Sequence, residues 1–449
     1  MLKQLSKIAL ITSMVPMMAQ AQNMSLEDRV AELEANQALN VFKFSGYLNT
    51  RYDDVDAEQT TPVTGAFKGH TQHLRLRSGI NINADVSKKI SFYSTLTASK
   101  YFNTWAVQPS GVGTAPSYLT DPSDSRAELG PQIYLEKAYA DYRFAEQFTF
   151  SFGRLPTMDG PPSHLPLGKA RMGTYPSMGY NAPFDGIAFS YNLPIDADQS
   201  FSARILYTPM SYYTSSTGKI GGAGNLGNVT IAGSKINSLS DFTSLMLEYN
   251  LANTSVANKI SILAMAYQTG DLPIDGSLFN AGGGAGAGLV NFKVGGQVIV
   301  AELNQIMDSG FDLAVTFLNT KVENSGTITV PGLGSIYGFG ASSEGESLTG
   351  NSTLVSARYK WSDLFIGAEY LAGGKNVFNY DPATEVVNGF YSTPGTGTHA
   401  YALYKLTPEL GWRLGYMKQE YKNTPFSFGA SSDTDREITT YYTDLRLDF

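Results

Sequence analysis

The chain of 449 residues contains no cysteine. Neither a disulfide nor a thiolate metal site is open to it, so its stability must come from burial and backbone pairing. Charge is sparse as well: 16% of the residues are charged, with 32 Lys and Arg against 40 Asp and Glu. A mild acidic excess excludes the basic footprint of a nucleic-acid-binding protein. After residue 21 no apolar run approaches the ~18 residues that a membrane-spanning helix needs. That leaves a soluble protein or a closed β-barrel, the one other structure that satisfies its backbone inside lipid.

What is plentiful points to strands. The chain has 27 Tyr, 24 Phe and 45 Gly, a mixture that suits strands, interfacial aromatic girdles and long loops. Its last residues read "YYTDLRLDF", 441–449. Taken in twos, Tyr441, Thr443, Leu445, Leu447 and Phe449 fall on one face, and Tyr442, Asp444, Arg446 and Asp448 on the other. A strand edge ending on an exposed aromatic invites aggregation in water. It is at home where the last strand of a barrel pairs with the first in lipid.

The beginning reads as a secretory signal peptide. Lys3 and Lys7 precede an apolar stretch from Ile8 to Met18, followed by Ala19-Gln20-Ala21. A basic head, a short apolar core and a small-residue site predict cleavage after Ala21. Loss of the two lysines takes the formal charge from −8 to −10. Residues 24–40, "MSLEDRVAELEANQALN", predict a helix, with Ser25 and Asp28 as a loose cap. Leu26, Val30, Leu33, Gln37 and Asn40 form a narrow heptad seam, which favours a short parallel coiled coil joining subunits. Packing of the same helix on its own barrel is the alternative.

From Phe42 onward the pattern alternates. The expected strands are 42–54, 70–86, 90–103, 133–144, 148–155, 184–193, 199–210, 240–252, 258–270, 289–306, 310–322, 353–361, 364–373, 397–406, 410–422 and 437–449. Their connections alternate between short and long, the signature of an outer-membrane barrel with short periplasmic turns and long external loops. The expected fold class is therefore all-β, a transmembrane antiparallel β-barrel of about 16 strands with a short N-terminal α-helical coiled-coil segment. The expected domains are a signal peptide over 1–21, a periplasmic helix over 22–41 and a barrel over 42–449. A further hairpin hidden in 211–239 or 323–352 would raise the count to eighteen.

With its leader, sixteen alternating strands and terminal "LRLDF", the chain resembles the Gram-negative outer-membrane porins. The helix "LEDRVAELEANQ" ahead of "FKFSGYLNTRY" is similar to porin-like proteins that begin with a small trimeric coiled coil. "GRLPTMDGPP" (153–162) and "YNAPFDGIAFSY" (180–191) resemble a porin-like family as well. The resemblance implies a homotrimer, surroundings of outer-membrane lipid and lipopolysaccharide, and recognition of Phe449 by the barrel-assembly machinery. It also implies that the loop after the fifth strand, 156–183, folds into the pore and narrows it. That loop carries Asp159, His164, Lys169 and Arg171, and its six prolines and four glycines favour a fixed irregular path. In the porin family this loop is acidic, so the basic pair here leaves ion preference open, as does the possibility of an external cap.

Strand parity turns Arg51, Arg75, Arg77, Arg413 and Arg446 inward on strands that become neighbours when the barrel closes. A basic wall opposite a folded loop sets a transverse field, unless Asp53, Asp85, Asp444 and Asp448 neutralise it. His70 and His73 are a candidate metal pair without an evident third ligand. Asp121, Asp124 and Glu128 are a candidate cation loop, whereas "AGGGAGAG" (281–288) lacks the Lys-Ser/Thr of a phosphate cradle. Ser163-His164 with Asp159 does not make a credible triad. We therefore expect a channel for passive diffusion of small hydrophilic solutes and ions, with no enzyme activity, no cofactor and no metal. A substrate-specific channel and a plugged, adhesive barrel are the alternatives.

Overall fold

The computed structural model describes residues 41–61, 65–101, 133–169, 171–209, 219–220, 229–230, 241–270, 272–275, 289–326, 328–330, 334–336, 347–379, 389–422 and 435–449. The signal peptide, the seam at Leu26, Val30, Leu33 and Gln37, the acidic loop 121–128 and the glycine run 281–288 lie outside the described residues. No helix among the described residues is long and apolar enough to cross a membrane.

Sixteen strands make the wall. They are β1 (Phe42–Thr61), β2 (Gly65–Ser87), β3 (Ile90–Tyr101), β4 (Ile133–Arg143), β5 (Phe148–Leu155), β6 (Phe184–Pro194), β7 (Gln199–Pro209), β10 (Asp241–Ala252), β11 (Ala257–Thr269), β13 (Leu289–Ile306), β14 (Phe311–Gly326), β17 (Ser347–Trp361), β18 (Leu364–Gly373), β19 (Gly395–Lys405), β20 (Leu410–Tyr421) and β21 (Asp435–Asp448). A further short strand, β12 (Leu272–Asp275), pairs with β13. The expected hairpins do exist as β8 (Lys219–Ile220) with β9 (Val229–Thr230), and β15 (Ile328–Val330) with β16 (Gly334–Ile336). Each is a separate two-stranded sheet, so neither adds to the wall, which stays at sixteen.

Every neighbouring pair is antiparallel, and β1 closes the barrel by pairing with both β2 and β21. At the seam the Phe449 amide donates to the Gly46 carbonyl at 2.9 Å, and the Gly46 amide donates to the Phe449 carbonyl at 2.6 Å. The Phe449 ring lies over Gly46, where a Cβ would come within 2.7 Å of that ring and of the Gly79 carbonyl oxygen. Glycine is therefore required for this close approach. Both ends of the sheet meet at the end where all the short turns lie, from 88–89 to 406–409.

The alternation sorts the side chains by face. Leu48, Ile80, Phe152, Ile205, Ile262, Ile299, Phe317 and Leu414 are exposed on the outside. An apolar belt of that extent is a solvation problem in water and not in lipid. Near the short turns it ends in aromatics, among them Phe44, Phe144, Phe148, Trp361, Trp412 and Phe449. Phe144 and Phe148 lie 5.7 Å apart and Phe148 and Tyr191 5.0 Å apart, centroid to centroid. Aromatics so placed match the interfacial girdles found on membrane barrels.

The inner face is divided. From β6 to β18, inward residues toward the long-loop end are apolar: Phe184, Leu206, Phe242, Met265, Val298, Leu318, Leu354 and Leu371 are all buried. From β20 through β21 to β1 and β2, the inner face carries arginines and carboxylates. Where β3 meets β4 the register shifts between Thr95 and Leu96, a bulge that re-aims a side chain.

Candidate functional site

The stretch 156–183 leaves β5 at Leu155 and runs through the interior. Its base is folded on itself. The Gly173 amide donates to the Asp159 carbonyl at 3.1 Å, and the Asp159 amide donates to Asn181 Oδ1 at 2.9 Å. A Cβ on Gly160 would lie 1.6 Å from the Tyr175 carbonyl oxygen, so only glycine lets the two passes of the loop meet. Beyond them is one turn of helix, α1 (His164–Leu167), ended by Gly168 at φ 62°, a left-handed cap.

The loop is held from across the barrel. Arg358 of β17 donates to the Leu165 carbonyl at 3.2 Å, and Arg413 of β20 donates to the Pro166 carbonyl at 2.8 Å. Arg171 forms a two-pronged bridge to Glu248 of β10 at 2.9 and 3.1 Å, the strong geometry for this pair. Lys169 approaches Asp448 of β21 at 3.7 Å and lies 5.6 Å from the centre of the Tyr47 ring. Asn379 donates to the Ser177 carbonyl at 3.3 Å. The segment therefore crosses the lumen from β5 to the opposite wall.

Packing fixes its base. Tyr175, Met178, Tyr180 and Ala182 are buried in the same apolar cluster as the inner faces of β6 to β18. Tyr180 meets Phe242 edge-on at 4.8 Å and its hydroxyl pairs with Ser244 at 3.2 Å. A second segment enters from the 374–396 loop, where Val377, Phe390 and Tyr391 join the cluster. Tyr391 donates to Glu369 at 3.2 Å, and Glu369 also contacts His399 at 2.7 Å.

His164 is buried within this arrangement, with Nε2 at 3.7 Å from Glu302, too far for a hydrogen bond. Burial first, then Arg358, Arg171 and Lys259, lower its pKa to about 3. The imidazole is neutral at ordinary pH, which leaves Lys169 and Arg171 as the loop's cations.

On the charged wall each arginine meets a carboxylate. Arg51 and Arg75 share Asp53 at 2.7 and 2.8 Å, and Arg77 reaches Glu136 at 2.6 Å. Arg413 pairs with Asp444 at 2.6 Å and Arg446 with Asp448 at 2.9 Å. Arg51 also stacks 3.9 Å from the centre of the Tyr442 ring. The wall is thus a chain of ion pairs with little excess of either sign. Asp85 takes no part in it, being bound to Lys43 at the short-turn end. Glu136, Glu248, Glu302 and Arg358 belong to the site although parity alone did not pick them out. A recess remains between the loop tip and the β19–β21–β1 wall, with Asn49, Lys169, Lys405, Arg413, Arg446 and Asp448 among its lining.

Solved structures of similar fold are outer-membrane barrels. Pseudomonas putida OprB aligns over 92% of this chain and 96% of its own, at 10% identity and a TM-score of 0.50. Salmonella typhi OmpF aligns over 88% and 97%, at 13% identity and a TM-score of 0.43. OmpT, an outer-membrane protein of Vibrio cholerae, aligns over 91% and 98%, at 11% identity and a TM-score of 0.45. At such identities the likeness concerns the fold, and OprB carries it: a closed sixteen-stranded barrel resembling the outer-membrane porins. A comparison with curated proteins finds no match. One family model, described as a protein of unknown function (DUF3373), matches residues 70–431, and the chain belongs to that family.

Proposed function

We propose that this protein is an outer-membrane channel for passive diffusion of small hydrophilic solutes and ions, with segment 156–183 as its constriction. One observation carries the reading: the segment crosses the lumen and is tied to the far wall by Arg171–Glu248, Arg358–Leu165 and Arg413–Pro166. A cap that stayed outside the barrel would have no use for arginines on β17 and β20 aimed at its backbone. The apolar packing of the loop base against β6 to β18 confines the route to the charged side, past Lys169, Arg413 and Arg446. Passage there favours small, well-solvated ions over bulky solutes, and the paired wall gives a weak charge preference.

In the membrane, the short-turn end faces the periplasm and the long loops face outward. Export by the leader at 1–21, trimer formation through 22–41, and assembly through Phe449 belong to the same reading. So does the absence of catalysis: the proposed roles are binding and passage alone.

A second reading is favoured by the apolar cluster itself: a plugged barrel acting through its outer loops. Planar-bilayer recording of the purified protein separates the two. Discrete ohmic steps are expected from the channel. A silent membrane, with insertion shown by protease protection, would establish the plug.

A further inference from the structure

The longest strands stand beyond the wall. β1 and β2 have 20 and 23 residues, about twice the 9–11 that cross a bilayer. Their outward face changes along the way. On β1, Phe42, Phe44 and Leu48 are exposed apolar residues, and Asp54, Asp56 and Glu58 then follow on the same parity. On β2, the exposed Leu74 gives way to Gln72, His70 and Lys68. The register sets Asp56 opposite His70, Asp54 opposite Gln72 and Glu58 opposite Lys68.

The ligands that complete a set with His70 come from the paired strand, not from His73, which the register sets opposite Asp53 on the other parity. His70 Nδ1 lies 2.9 Å from Asp56 Oδ1 and 3.4 Å from Asp54 Oδ1, and one ligand atom from each of the three lies within 4.8 Å of the others. Zinc bonds of about 2.0–2.2 Å put the atoms of a tetrahedral site roughly 3.3–3.6 Å apart, so closure on an ion needs only small side-chain rotations. One carboxylate is oriented from behind: Gln72 donates to Asp54 at 3.3 Å. Such outer partners hold metal ligands in place. The backbone beneath is rigid, because Val55 and Ala57 on the opposite face are buried against Tyr421 and Ile438. Lys68 is occupied by Glu58 and does not compete for the two aspartates.

We propose that Asp54, Asp56 and His70 form a binding site for a divalent transition-metal ion on the outward face of the β1–β2 arm, above the lipid belt. One imidazole nitrogen and two carboxylates favour zinc-like ions over magnesium or calcium, which take oxygen ligands in larger number. The remaining coordination positions open to solvent, so the ion is exchangeable. The site is independent of the channel reading, since none of its residues faces the lumen.

The test is calorimetric titration of chelator-stripped, tag-free protein in detergent with ZnCl2, CaCl2 and MgCl2. We expect one zinc ion per chain, with calcium and magnesium at least tenfold weaker. His70→Ala and Asp56→Asn should each weaken zinc at least tenfold, while Lys68→Ala should leave it within twofold. Folding of each variant is read from the heat-dependent gel shift of the barrel, which an exposed substitution should not alter. Absence of saturable zinc binding in the wild-type protein would overturn the site. So would His70→Ala binding with wild-type affinity, or calcium binding as tightly as zinc.

Discussion

The two sides of the lumen are built from the same alternating strands and do opposite things. From β6 to β18 the inward residues near the long loops are apolar, and they grip the bases of two inserted segments. From β20 to β2 the inward residues carry a chain of ion pairs, which holds the tip of the 156–183 segment. Apolar packing is non-directional and gains from every contact, so it excludes water and closes that side. Ion pairs keep their strength only with their partners in place and tolerate water beside them, so the proposed route runs on that side. In the proposed channel, the position of the route follows from which wall can remain wet.

The largest expected effect comes from breaking the grip. Met178 and Tyr180 are fully buried between the loop and the wall. Removing buried side chains of this size costs about 2–5 kcal/mol each. Met178→Ala with Tyr180→Ala should free the loop base and raise single-channel conductance severalfold. Unchanged conductance would mean that the loop does not set the aperture.

Next in size is the loss of a tether on the charged side. Arg413 holds both Asp444 and the Pro166 carbonyl. Arg413→Ala leaves Asp444 with Arg51 at 4.0 Å as its nearest cation. Breaking one partner of a buried pair costs about 3–5 kcal/mol. Conductance should become noisy, and the reversal potential in a salt gradient should shift toward cations. Arg171→Ala should do less, since Glu248 keeps Arg204 at 3.4 Å. Equal effects from the two would erase the proposed contrast between tip and base.

Acid should loosen the same loop through His164. Released to water its pKa is about 6.5, and seated it is about 3. Between those values the released state binds the proton and the seated state refuses it, so seating weakens as pH falls. At pH 5 the loss is about 2 kcal/mol. Open-channel fluctuations should therefore increase from pH 7.5 to pH 5 in the wild-type protein. His164→Gln should flatten that dependence, and a slope identical to wild type would assign the effect to another group.

How much of this was legible depends on the range of the cause. The strand boundaries follow from a local period of two, and β5 over 148–155, β13 over 289–306 and β18 over 364–373 fall where the alternation puts them. The sequence pattern ends β1 at 54, because Asp54, Asp56 and Glu58 look like a loop; they are the outward face of a strand that continues beyond the apolar belt. Parity placed Arg51, Arg75, Arg77, Arg413 and Arg446 together, since closure joins the first strands to the last. It did not find Glu136, because the bulge at Thr95 and Leu96 interrupts the alternation that a parity count assumes. Glu248 and Arg358 meet the loop across 77 and 193 residues of sequence, and no local pattern encodes such a pairing. Phe390 and Tyr391 lie in a long loop by sequence pattern; they turn inward because the apolar side of the lumen offers them burial.

The smallest expected effect is the sharpest on the nature of the charged wall. Arg77 and Glu136 are a buried pair at 2.6 Å, and Thr97 also donates to Glu136. Removing only the cation, as in Arg77→Ala, strands a carboxylate beside the route and should move the reversal potential toward cations. Removing both, as in Arg77→Ala with Glu136→Ala, deletes a neutral pair and should leave the potential near the wild-type value. If the wall acted as a basic stripe, the double variant would lose a cation's influence and follow the single one. A double variant that returns to wild type instead means that selectivity is set by local pairing along the wall, and that the lone lysine at the loop tip, Lys169, is the charge to alter next.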